Sequence, residues 1–355
     1  VADRTLLIVN FNSAALTARA IETARLSSSV PLRTIVVDNS ESAAEVERLR
    51  LLPIDDLVVA ESNLGYGRAI NRVTSRVGRG ALILSNPDVE YSGSAVDVLC
   101  SAVESNADMA GPMLFWDSAM RWMLPPAEAT SVASKVAQIV HGRFSSLRST
   151  IDQRRCRQRV GFWTEQRDTR AAYVSGAVIA TRPEVLERLG GFDERFRLYF
   201  EEIDLMRRLK RKGGTVRVVR GAQCRHLFNQ SSASPAESGR LYAESEELYL
   251  RKWSTPAGLA VLRRFSGKPA FKPEAVRLLA AGDPIILPGD PASYVVEASP
   301  LRSFWSAAGY FPRETEVRFP PEITRSYRGQ QLFVRVVDLR TLRPWPGLEF
   351  EISVK

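Results

Sequence analysis

Three carboxylates fall within four residues in the run Glu201-Glu202-Ile203-Asp204, which follows Tyr199-Phe200 and the loop Gly190-Gly191-Phe192-Asp193-Glu194. Carboxylates this close repel one another, so at least one must have a raised pKa or a cation beside it. Either condition suits a general base, which holds a proton transiently near neutral pH. The same residues also suit a helix start, because acidic side chains favour the positive end of a helix. The run alone does not choose between the two. Asn86-Pro87-Asp88 upstream and His226 downstream, one of two histidines in the chain, are the groups to be read with it.

Such groups must be held by a scaffold, and the first hundred residues predict one. Apolar runs at 5–10, 34–38, 57–60 and 81–85 read as strands, and amphipathic stretches at 13–27, 45–52 and 66–77 read as helices between them. Short strands alternating with helices imply a parallel sheet covered on both faces. In such sheets ligands bind beyond the carboxyl ends of the strands. Polar clusters fall at those ends: Asn10-Phe11-Asn12, Asp38-Asn39-Ser40, Glu61-Ser62-Asn63 and Asn86-Pro87-Asp88. A further strand is expected at 172–180, a helix at 183–189, a helix from the acidic run to Gly213-Gly214, a strand at 215–219 leading to His226, and a long helix at 235–253. After residue 255 the texture changes to Pro- and Gly-punctuated strands at 293–297, 331–337 and 348–352. The expected organisation is an α/β domain over 1–255, a linker or helix over 256–270, and a small, mostly antiparallel β domain over 271–355, read as a sandwich.

A chain of 355 residues exceeds one ordinary core, in keeping with two domains. No apolar stretch reaches the ~20 residues that span a bilayer, and the sequence opens without a secretory signal pattern. Three scattered cysteines (Cys100, Cys156, Cys224) argue against a disulfide framework or a zinc knuckle. The expected location is therefore cytoplasmic. A net charge of +9 calls for an anionic partner. Much of the excess lies between Arg143 and Arg170, where Arg148, Arg154, Arg155, Arg157, Arg159 and Arg167 cluster. The segment lacks a stacking platform or a recognised nucleic-acid motif, so nucleic acid is not the expected partner. A diphosphate-bearing acceptor or a peripheral contact with the anionic inner face of the cell membrane fits better, and a solvated basic helix is the plain alternative. A homodimer is a further expectation.

Taken in order, Ile8-Val9-Asn10-Phe11-Asn12, Val36-Val37-Asp38-Asn39-Ser40, Asn63-Leu64-Gly65-Tyr66-Gly67 with Asn71, Ser85-Asn86-Pro87-Asp88, Gly111-Pro112, Ser175-Gly176-Ala177, the 190–194 loop, the acidic run and His226 form a series. Over about residues 5–253 the chain resembles family 2 glycosyltransferases of the GT-A fold, in particular the rhamnosyltransferase-like branch. Each fragment is weak alone, and the ordered series is specific. The C-terminal β domain lies outside the resemblance.

The resemblance implies roles. Asp38 would accept a hydrogen bond from the imide of uracil or thymine, supplemented by Asn39. Asn10 and Asn12 would meet the base or ribose, with strand-end capping as the ordinary alternative. Asn63, Gly65, Tyr66 and Asn71 would belong to the nucleotide-side loop, where glycine lets backbone approach the ligand. Asn86 and Asp88 would face the diphosphate, and Asp88 with His226 would hold Mn2+ or Mg2+. Family members often carry aspartate where this chain has Asn86, which removes one negative charge. Glu202 would be the base, at a position more often aspartate, with Glu201 as runner-up and Asp204 as a helix anchor. Arg207 and Arg208 would offset the acidic run or reach the diphosphate. Trp116, Trp122 and Asp193 would lie on the acceptor side, although packing accounts for aromatics more often. The implied activity is inverting, metal-dependent transfer of a sugar, L-rhamnose from its dTDP ester first and UDP sugars next, to a glycan or lipid-linked acceptor. A non-catalytic carbohydrate-binding or assembly protein with a degenerate domain is the second reading, kept open by Asn86 and Glu202. A nucleotidyltransferase lacks its triphosphate loop and a dinucleotide oxidoreductase lacks G-x-G-x-x-G after the first strand.

Overall fold

A computed structural model describes residues 3–227, 235–265, 276–327 and 330–353. The chain begins with β1 (Asp3–Asn10), α1 (Ala14–Leu26), β2 (Leu32–Asp38), α2 (Ala43–Arg50), β3 (Asp56–Val59), α3 (Tyr66–Val73), β4 (Gly80–Ser85), β5 (Val89–Ser92), α4 (Ala95–Ser105) and β6 (Met109–Phe115). Two helices follow, α5 (Val132–Arg143) and α6 (Ser145–Thr164), then β7 (Thr169–Arg170), β8 (Val178–Thr181), α7 (Pro183–Leu189), α8 (Glu201–Arg211), β9 (Val216–His226) and α9 (Pro235–Trp253). The remainder comprises α10 (Pro256–Phe265), β10 (Arg277–Ala280), β11 (Pro284–Ile286), β12 (Tyr294–Ser299), β13 (Ala308–Tyr310), β14 (Glu316–Arg318), α11 (Pro321–Ser326), β15 (Leu332–Asp338) and β16 (Arg343–Ser353). Among the described residues no helix is long and apolar enough to cross a membrane.

Two compact units divide the chain. The first comprises Val1–Leu114, Pro126–Ala129 and Gln166–Lys252; the second comprises Phe115–Pro125, Thr130–Glu165 and Trp253–Lys355. In the first, the sheet runs β3-β2-β1-β4-β8-β6-β9-β5, with β7 on β9. β1 pairs in parallel with β2 and with β4, and β2 in parallel with β3. Leu6, Leu7, Ile8, Ile35, Val36 and Val37 are all buried, as continuous apolar strands covered on both faces must be. β8 pairs antiparallel with β4 and β6, and β9 pairs antiparallel with β5 and β7. β1 is the first strand in sequence yet lies between β2 and β4. The order of strand addition reverses there, and such a switch point leaves a crevice beyond the strand ends. Asn10 and Asp38 are register partners at that end, and Ser85 is the last residue of β4.

The second unit is built on a five-stranded sheet, β10-β16-β15-β12-β13, with a separate β11-β14 pair. All these pairings are antiparallel except β10 with β16. The expected sandwich takes the form of one main sheet with α6 packed on it, where Cys156 and Trp163 form a buried cluster with Val295 and Val337. Residues 115–125 and 130–165, which the sequence reading gave to the α/β domain, belong to this unit. The physical reason is long-range. Arg159 of α6 donates to buried Glu297 of β12 at 2.6 and 2.8 Å, and Arg335 of β15 reaches the other carboxylate oxygen at 2.8 and 2.9 Å. Arg155 donates to the Trp305 carbonyl and packs over its ring. Two arginines of the basic segment are therefore consumed inside the unit.

Candidate active site

The acidic run is presented by an unusual backbone. Tyr199 and Phe200 both adopt positive φ, 69° and 68°, immediately before α8. Left-handed backbone at two successive non-glycine residues costs on the order of 1–3 kcal/mol each and persists only where packing over-determines it. Here α9 supplies the packing. The buried Phe200 ring meets Tyr242 and Tyr249, and Ser245 Oγ donates to the Leu198 carbonyl at 2.7 Å. The turn delivers Glu201 and Glu202 as the first two residues of α8.

Glu201 is 4% exposed, and among the described residues its Oε2 has no hydrogen-bond partner. Burial pushes its carboxyl well above the ordinary 4.5, and the charge of Glu202 adds to the effect. Burial likewise raises Glu202, against the opposing pull of backbone N–H groups at the helix start. Gly176 gives Glu202 its place. A β-carbon at 176 would stand 3.0 Å from Glu202 Cγ and 3.2 Å from its Oε1. Tyr66 completes the cluster. Its hydroxyl donates to the Gly176 carbonyl at 3.3 Å, and burial with the nearby charges of Glu201 and Glu202 raises its pKa, so it stays protonated. The third carboxylate of the run is spent otherwise: buried Asp204 pairs with Arg208 at 2.8 Å and Lys252 at 2.7 Å. Arg208 also donates to the carbonyls of Leu189 and Gly191, anchoring α8 to the glycine loop, while Arg207 donates to the Tyr249 hydroxyl.

At the ends of β1 and β2 a second polar cluster is locked together. Asn10 is wholly buried. It donates to Asp38 (2.8 Å) and Glu45 (3.1 Å) and accepts from Ser13 (2.9 Å) and Thr17 (2.8 Å). That uses both donors and both lone pairs of its amide, so Asn10 orients Asp38. Asp38 accepts in addition from the Ser40 hydroxyl at 2.7 Å. Glu45, buried in α2, was not a sequence candidate, and it also accepts from the Ala14 amide at the start of α1. Asn39 differs: its Nδ2 donates to the Gly65 carbonyl at 3.2 Å, whereas its buried Oδ1 has no partner among the described residues. Asn12 is exposed with φ 50°. Asn63 accepts from the Gly65 amide at 3.0 Å, forming the turn into α3. Gly65 cannot be replaced without strain, because it has φ +79° and a β-carbon would sit 2.2 Å from the Arg197 carbonyl oxygen. Asn71 clamps the 190–194 loop by bonding both backbone groups of Phe192, at 2.8 and 2.9 Å.

The backbone around 176 connects these groups to the next strand end, since the Asn86 amide donates to the Ala177 carbonyl at 2.9 Å. Asp88 is buried just beyond. The β5–β9 pairing brings His226 to it, with Nε2 3.3 Å from Asp88 Oδ1. One carboxylate and one imidazole at that spacing suit two adjacent positions around a hard divalent ion. Among the described residues no group of three or more His, Cys, Asp or Glu side chains converges.

A sequence model of the family described as glycosyltransferase like family 2 matches residues 2–241. The chain belongs to that family. The N-acetylglucosaminyl-diphospho-decaprenol L-rhamnosyltransferase of Mycobacterium tuberculosis is 24% identical over 261 residues, covering 65% of this chain and 78% of that protein. The crystal structure of GalNAc-T7 with UDP, GalNAc and Mn2+ is similar at a TM-score of 0.46 and 13% identity, over 84% of this chain and 62% of that one. The mannosyltransferase PcManGT from Pyrobaculum calidifontis, in complex with GDP-Man and Mn2+, gives 0.42 and 12%, over 75% and 76%.

In this glycosyltransferase the remaining candidates have other surroundings. Asp193 is held well below the ordinary carboxylate range by its hydrogen bonds to Arg195 and Lys252, despite partial burial. It is a fixed anion and not a base. Trp116 and Trp122 are buried in the second unit, Trp116 against Phe319 and Tyr327, Trp122 against Tyr310 and Phe319. Packing accounts for both rings. Gly176 was visible in the sequence only as part of Ser175-Gly176-Ala177, and its contact with Glu202 needed the fold.

Proposed function

We propose that this glycosyltransferase moves a sugar from a nucleoside diphosphate donor to a hydroxyl of a glycan or lipid-linked acceptor in one inverting displacement, with L-rhamnose from dTDP-rhamnose as the first donor. The observation that carries the reading is the pair of adjacent carboxylates, buried Glu201 and half-buried Glu202, at the start of α8, fitted against Gly176 and Tyr66. Glu201 is the more enclosed and holds its proton. Glu202 is only half-buried and so is the member that ionises first. Its carboxylate takes the proton of the acceptor hydroxyl as the acceptor oxygen bonds to the anomeric carbon and the bond to the diphosphate oxygen breaks. Holding both reactants in line supplies much of the acceleration. Asp38, fixed by Asn10 and Ser40, and Asn39, with its open Oδ1, would receive the nucleoside. Asp88 and His226 would hold a divalent ion, Mn2+ or Mg2+, which when bound neutralises the leaving diphosphate. The rhamnosyl group and the lipid diphosphate acceptor class follow the mycobacterial relative, an N-acetylglucosaminyl-diphospho-decaprenol L-rhamnosyltransferase.

The test is a donor screen with and without Mn2+, reading free nucleoside diphosphate, followed by NMR assignment of the product anomer. Metal-stimulated turnover of dTDP-rhamnose with inversion is the expected result. Turnover confined to another donor would overturn the rhamnosyl assignment, and retention would overturn the single displacement.

A further inference from the structure

The second unit contains a cavity of about 380 Å³ that the transfer chemistry does not use. Its volume lies in the range of small-ligand sites, roughly 300–1,000 Å³. Four arginines line it, Arg148, Arg277, Arg302 and Arg335, against the two carboxylates Asp152 and Glu349. Three of the guanidinium groups lie over aromatic rings of the same lining: Arg335 over Phe304 at 4.2 Å, Arg277 over Phe350 at 5.5 Å and Arg302 over Phe333 at 6.0 Å. Arg335 is pinned from behind by Glu297 and forms a rigid wall. For Arg277 and Arg302 the aromatic face is the contact, and neither has an ion pair among the described residues. Arg302 is half-buried and makes no ion pair among the described residues, so its guanidinium is open to an anion entering the cavity. A planar guanidinium fork matches carboxylate and phosphate oxygens in a bidentate fashion. Beside it, partly exposed Trp345 lines the cavity, held edge-on by Tyr294, and offers a flat apolar surface of the kind a sugar ring covers.

We propose that this cavity binds a saccharide carrying an anionic group, a phosphate or a carboxylate, at a site separate from the transfer chemistry. Arg302 and Arg277 take the anion and Trp345 takes the sugar face. The saccharide class rests on the chain's glycosyltransferase family, and the anionic group on the arginine lining.

Calorimetric titration of the full chain with glucose 1-phosphate, glucuronate, glucose and inorganic phosphate tests this, and the two anionic sugars separate the phosphate source from the carboxylate source. The readout is binding, so it does not depend on the donor assigned above. At least one anionic sugar should bind, glucose should not, and R302A should weaken the anionic sugar at least about tenfold. R277A, at an exposed position that leaves the core intact, should weaken it in the same sense, and W345A should reduce sugar binding more than phosphate binding. Absence of binding by both anionic sugars, glucose binding as well as they do, phosphate binding as tightly as the sugars, or unchanged affinity in R277A and a folded R302A would each overturn the proposal.

Discussion

Glu202 stands close against Gly176: a β-carbon there would lie 3.0 to 3.2 Å from its Cγ, Cδ and Oε1, so the carboxylate would have to give by a few tenths of an ångström. Gly176 carries no left-handed φ, so alanine there meets no backbone penalty and acts only by displacing Glu202. G176A should fold with little change in stability and lose up to about tenfold in kcat/KM, since Glu202 need give only a few tenths of an ångström, less than the ~1 Å misplacement that costs on the order of 100-fold. E202Q, which keeps shape and removes the base, should lose more while still binding nucleotide. Wild-type turnover in E202Q would remove Glu202 as the base.

The raised carboxyl of Glu201 has a consequence for stability. Its native pKa lies above the ordinary 4.5 because burial, then the charge of Glu202, disfavours ionisation. Between the two values the native state binds more protons than the unfolded state, so stability falls as pH rises through that window. E201Q, a neutral copy of the protonated form, should melt higher than wild type above the window, by roughly 2–4 °C for each ~1 kcal/mol regained. The difference should vanish near pH 4. An equal shift at both pH values would refute the protonation argument.

What the residues revealed and what they concealed follow from the range of the interactions. Unbroken apolar runs such as Leu6-Leu7-Ile8 specify buried parallel strands locally, and the polar clusters at their ends mark the crevice. Asn10 and Asn71 were also visible, but as ligand contacts; their hydrogen bonds are spent on Asp38 and on the 190–194 loop. Glu45 reads as a surface acid of a short helix until β1 is placed beside it. Arg159 reads as part of a solvated basic helix, because its partner Glu297 stands 138 residues away in sequence. The left-handed pair Tyr199-Phe200 carries no glycine or asparagine to announce it, and only packing against α9 holds it.

His226 Nε2 lies 3.3 Å from Asp88 Oδ1, and under the proposed function these two side chains would hold the divalent ion. With so few protein donors, a divalent ion should bind weakly alone and strongly together with a diphosphate, whose oxygens complete the shell. Wild-type protein should bind nucleoside diphosphate at least about tenfold more tightly with Mn2+ than without it. D88N should abolish that increment and leave the metal-free affinity nearly unchanged. Retention of the full increment in D88N would exclude Asp88 as a ligand.

Arg159, Glu297 and Arg335 form a buried triad, with Glu297 at 0% exposure. Burial alone would raise the Glu297 carboxyl, but Arg335 and Arg159 outweigh it and hold the pKa below the ordinary 4.5. A depressed native pKa contributes stability above the unfolded value and loses it as pH falls through the native one. E297Q should therefore cost about 3–5 kcal/mol at pH 7, because it strands two guanidinium groups in the interior. Its deficit should shrink in acid, where wild type also loses the ion. The triple replacement R159M/E297L/R335M tests the other side of the argument: with all three charges gone, desolvation no longer opposes folding, and stability should return to within ~1 kcal/mol of wild type or exceed it. Chemical denaturation of the three proteins at pH 7 and pH 4 measures this directly. A triple variant as unstable as E297Q would show that the triad contributes by shape and not by charge.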